Sequence, residues 1–255
     1  MASMVVALLA SFVIAGPAAS QDFMNMVDAY GQAHVNMLHG QIMSDATKRR
    51  GESARRTQPA SRPAPTTAHR APQAVSNPRA LRFVPSAAVT RSTNARLVET
   101  LSGAMAQGRT SDEFRRLLDG GELQRSFREL IGKYGFSDRD LADVIAGHLV
   151  MSWQVVNDVS ELDERRGNVA LRDGLRDALA KADWVRALDD AQKQTLAETL
   201  VVGTMLNVTR YIHGKQTGDT RLASAAMQDA DAMVRGLAGI DLRQVRFTSR
   251  GFERR

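Results

Sequence analysis

The chain has 255 residues, 43% hydrophobic and 5% aromatic, with a formal net charge of +6. Cysteine is absent, which excludes disulfides, thiolate nucleophiles, cysteine-ligated zinc, iron–sulfur clusters and a lipid-modified cysteine anchor. With so few aromatics, Leu, Ala, Val and Met must fill the core, a composition that suits helices better than sheets.

Residues 1–20 read as a signal peptide. Val5 to Ala15 (VVALLASFVIA) is an uncharged apolar run, shorter than the ~20 residues a membrane span needs. Gly16-Pro17 breaks it, and Ala18 and Ser20 supply small side chains for cleavage before Gln21. The stretch before Val5 holds no Lys or Arg, which departs from the usual leader. Residues 21–43 form a Met-rich arm in which Met26, Tyr30, Met37 and Leu38 line one side of a short helix. Residues 44–80 read as a disordered linker rich in Arg, Ala, Pro and Ser, too poor in large apolar groups to repay the entropy of ordering. From Asp45 to Arg82 there are nine Lys/Arg against two Asp/Glu, whereas from Phe83 to Arg255 the balance is 25 against 24. The positive charge therefore belongs to the linker. The segment after it lacks the net positive charge expected of a duplex-DNA binder.

Residues 81–255 read as one all-α, bundle-like domain of about seven helices. The apolar spacing predicts helices over Ala88–Met105, from an N-cap at Thr110 or Ser111 to Gly120, over Glu122–Tyr134, from a Ser137 cap to about Val159, over Asn168–Ala182, from Asp189 or Asp190 to Ile212, and over Thr220–Leu237. A short turn at Trp184 and Leu188 and a Leu242–Phe247–Phe252 tail complete the pattern. No segment alternates strictly over five residues, so no strand is predicted. Val144–Val156 and Leu196–Val208 are apolar nearly all round, the mark of helices buried from several sides. Those two rods are expected at the centre.

Several landmarks together resemble a family of uncharacterised exported bacterial proteins known only as a domain of unknown function. They are Phe83-Val84-Pro85-Ser86 with Asn94, Tyr134-Gly135-Phe136, Leu141-Ala142-Asp143, Trp153, Ala197-Glu198-Thr199-Leu200, and Phe247-Thr248-Ser249-Arg250-Gly251-Phe252. The likeness covers about residues 81–253. It implies a helical fold and an exported location, and no activity.

The candidate site residues are Asp143, Glu198 and His148. Asp143 and Glu198 lie one on each central rod, and their carboxylates converge if those rods pack antiparallel, as the acid and base of a glycan-cleaving hydrolase would. Against this, an acid early in a helix suits the helix dipole, and Glu198 can serve a neighbouring helix or an Arg. His148 shares an apolar stripe with Leu141, Ile145, Ser152 and Val156; Ser152 one turn away lacks a nucleophile elbow, which favours a buried, hydrogen-bonded histidine. His34, His39, His69 and His213 make no metal-ligand spacing, and Asp158, Glu161, Asp163 and Glu164 miss the calcium-loop pattern. No metal or cofactor is expected. The expectation is a non-catalytic, exported cell-envelope binding or scaffolding protein, periplasmic or secreted. It would act through the arm, the linker or a groove between helices, on another envelope protein or an anionic surface polymer. The alternatives are an envelope hydrolase using Asp143 and Glu198, and a linker-driven binder of anionic polymer through the arginine pairs at 49–50 and 55–56.

Overall fold

Residues 78–102, 108–160 and 165–255 are described by the structure, a computed structural model. The expected leader, the Met-rich arm and the linker up to residue 77 lie outside these residues. The helices are α1 (Ala87–Ser102), α2 (Gly108–Gly120), α3 (Glu122–Gly132), α4 (Leu141–Val156), α5 (Arg165–Lys181), the single turn α6 (Asp183–Arg186), α7 (Asp190–Thr217) and α8 (Thr220–Ala238). Short 3-10 turns stand at Pro78–Leu81 and Leu242–Gln244. Among the described residues the fold is all-α with seven helices longer than one turn, as the periodicity predicts.

The two rods form the hub. Every residue of α4 except Gln154 is buried, and α7 is buried continuously from Thr199 to Asn207. Each Leu or Val removed from water there contributes about 1.5–3 kcal/mol, so this seam is a large part of the core. The two helices run in the same general direction, not antiparallel: His148 meets Thr204, and further along both chains Asp158 meets Tyr211 and Lys215. α8 returns beside α7, with Asn207 against Met233 and the buried Arg210 paired to Asp229.

Local chemistry sets the ends, with some shifts from expectation. Asp140, not Ser137, caps α4: its carboxylate accepts from the backbone N–H groups of Ala142 and Asp143. Ser137 instead accepts from Arg139 N–H through its hydroxyl. α2 is already helical at Gly108, ahead of the predicted cap. Asp189 and Gln192 close a reciprocal capping box at the start of α7, and that helix continues past Gly214 to Thr217.

Two features were not predicted. The C-terminal tail is an antiparallel hairpin, β1 (Val245–Thr248) with β2 (Gly251–Arg254), in which Phe247 pairs with Phe252. It docks on α4 through Trp153, whose indole N–H donates to the Val245 carbonyl at 3.1 Å. The Phe247 and Phe252 rings lie 5.9 and 6.4 Å from the Trp153 ring. Second, the chain between Leu81 and α1 acts as a strap. Phe83 N–H donates to the Arg139 carbonyl, Val84 N–H to the Asp190 carboxylate, and Ser86 N–H to the Gln194 side chain. Phe83-Val84-Pro85-Ser86 thus ties the starts of α4 and α7 together, and Leu81 before it is fully buried.

Candidate functional site

Asp143 sits in the first turn of α4, and both its oxygens are engaged. One accepts from Ser137 N–H at 2.9 Å and the other from Arg176 of α5 at 2.9 Å. The same guanidinium reaches Asp140 at 3.1 Å, and Arg82 stands 3.7 Å from Asp140. Burial raises the pKa of Asp143; the Ser137 N–H opposes this, neighbouring Asp140 adds to it, and Arg176 and Arg172 counter it. The cluster joins the start of α4 to the middle of α5.

Glu198 belongs to a different group. Thr90 of α1 donates to it at 2.6 Å and Gln194 at 2.8 Å, while Gln194 also spans Ser86 and Thr90. This network fastens α1 to α7. Asp143 and Glu198 share no hydrogen-bond partner among the described residues.

His148 is fully buried at the α4–α7 seam, with Nδ1 2.8 Å from the Thr204 hydroxyl. Thr204 donates its own hydrogen to the Leu200 carbonyl at 2.6 Å, so its oxygen accepts and Nδ1 carries the ring hydrogen. Nε2 is left as a buried acceptor without a partner among the described residues. Burial lowers the pKa of His148 to about 4, so the ring is neutral at physiological pH.

The concave surface lies elsewhere. A cleft of about 440 Å³ opens between α4, α5, the end of α8 and the hairpin, within the ~300–1,000 Å³ range of small-molecule sites. It is lined by the buried Ile145 and Leu149 of α4, by Leu171, Leu175 and Leu179 of α5, and by Ile240 and Phe252. Arg250 is its single charged residue among those described. Gly174 also lines it, and a methyl group built there meets no atom within 4 Å. A mid-helix glycine costs about 0.5–1 kcal/mol relative to alanine. Here it buys no close packing, and it leaves the cleft open.

Sequence reasoning missed this cleft. Its signal was the Leu171–Leu175–Leu179 stripe at i, i+4 spacing, which reads as core but is only half-buried. The expected candidates are thus held in helix-joining contacts, each in its own place. Among the described residues no group of three or more His, Asp or Glu is arranged to hold a metal ion.

The fold and cleft define an all-α domain with an aliphatic groove. The chain belongs to a family of unknown function, DUF6683, whose model matches residues 1–255. No curated protein and no solved structure matches it. Among the described residues no helix is long and apolar enough to cross a membrane.

Proposed function

We propose that this protein is an exported, non-catalytic binding protein of the cell envelope, and that the cleft between α4, α5 and the hairpin is its binding surface. The observation that carries the reading is an open aliphatic cleft bordered by a glycine that serves no packing purpose. Supporting it, both oxygens of Asp143 and one of Glu198 are committed to bonds between helices, and His148 lies wholly in the core. The apolar leader-like run Val5–Ala15 supports export.

Gly174→Leu tests the binding surface, because Gly174 lines the cleft and a side chain added there starts in open space without displacing a neighbour. The folded wild-type chain should bind the neutral dye Nile red, and the variant should lose that binding while melting no lower. Equal dye binding by both overturns the assignment. Export is checked by fractionation and N-terminal sequencing: mature protein should begin at Gln21 outside the cytoplasm, and an intact leader on cytosolic protein refutes it.

A further inference from the structure

The folded domain is nearly neutral as a whole, yet its charge is polarised around the cleft. α5 carries Arg165, Arg166, Arg172, Arg176 and Lys181 against Asp173 and Asp177; the chain from Arg243 onward carries five Arg against Glu253 alone. These two segments hold ten of the 25 basic residues after Phe83 and only three of the 24 acids. They are also packed together, since Gly167 lies against the Thr248 carbonyl and Gly251 against the Leu171 backbone. Arg172 and Arg176 turn inward to Phe136 and to Asp140 and Asp143. Arg165, Arg166, Arg246 and Arg254 stay exposed beside the cleft-lining Arg250.

We infer that the ligand of this cleft is a single-chain anionic amphiphile, a free fatty acid or a compound of that form, with its alkyl chain along the trough and its acid group at Arg250. This rests on the binding reading above and adds the ligand class. The Arg250 side chain is 82% exposed, and its backbone belongs to the Leu171 end, because the next residue, Gly251, faces the Leu171 backbone with room for no more than a methyl group between them. Leu179 lies two turns further along α5, giving a wall about 12 Å long. An aliphatic trough with one cation at its end matches a ligand with one apolar body and one acidic head. Arg250 is bonded to Glu253 at 2.7 Å, but Arg246 holds the other oxygen of the same carboxylate at 3.2 Å. Two guanidiniums therefore share one negative charge, and a net positive charge remains for a ligand anion. Among the described residues no acidic side chain lines the cleft.

The test compares laurate with dodecanol, which has the same chain and no charge, by calorimetric titration of the full-length protein. Wild type should bind laurate more tightly than dodecanol. Arg250→Gln should weaken laurate roughly tenfold, the loss of one charge-assisted contact, and leave dodecanol unchanged; Arg250→Lys should restore part of the laurate affinity. Gly174→Leu should abolish both. Laurate affinity that is indifferent to Arg250→Gln, or no laurate binding while Nile red still binds in a Gly174-dependent way, overturns the ligand class and leaves the binding surface standing. Loss of the Gly174 dependence for every probe removes the binding surface itself. Equal binding of wild type and Gly174→Leu to phosphatidylglycerol vesicles, without laurate binding, assigns the basic face to a membrane surface and refutes the proposal.

Discussion

His148 and Thr204 show how a single core pair sets a pH response. Above the ordinary histidine pKa of 6.5 the ring is neutral in both folded and unfolded chains. Between 6.5 and about 4 the unfolded chain takes up a proton that the folded one refuses, so stability falls as the pH drops through this window. The loss amounts to about 3 kcal/mol by pH 4. Asp143, raised by burial, acts in the opposite sense and offsets part of it. Melting temperatures measured from pH 7 to pH 4 should fall for wild type and fall less for His148→Gln. For Asp143→Asn, the amide keeps only one acceptor oxygen where Ser137 N–H and Arg176 each need one, and the lost hydrogen bond should cost about 1–3 kcal/mol, read by urea denaturation. At this scale the sequence was partly legible. A buried, bonded His148 follows from its apolar stripe, and an acid at Asp143 follows from helix-end electrostatics. Arg176 did not, because the pairing crosses 33 residues and depends on how α5 lies on α4.

Helix identity was legible because 3.6-residue periodicity and glycine stops are local signals. The hairpin was not, because each strand is only four residues long and its burial pattern does not alternate cleanly. What makes it a sheet is tertiary, namely Trp153 and the close approach of α5. A methyl group at Gly167 would stand 2.1 Å from the Thr248 carbonyl oxygen, so Gly167→Ala should undock the hairpin. The expected cost is about 1–3 kcal/mol, with tryptophan fluorescence moving to longer wavelength. Gly174→Ala should do the reverse, stabilising α5 by about 0.5–1 kcal/mol and raising the melting temperature by about 1–4 °C. The direction in which α4 and α7 run was equally invisible, since no local pattern encodes the relative sense of two helices with α5 and α6 between them.

For the molecule as a whole, net charge was a poor guide to charge distribution. The near-neutral balance after Phe83 hides a basic side made by α5 and the hairpin, brought together only by folding. The linker adds its own charge, with seven Lys/Arg against two Asp/Glu over residues 44–77. Deleting those residues should lower the salt concentration at which the protein leaves heparin, but retention should persist through the folded basic side. Complete loss on deletion would assign all anion affinity to the linker.

The strap gives the molecule a mechanical character. A pull on the N-terminal residues enters at Leu81 and passes at once to Arg139 on one side and to Asp190 and Gln194 on the other. These anchors divide the load between the starts of α4 and α7 before it reaches α1. A protein held by its leading end could be tugged without unravelling from that end.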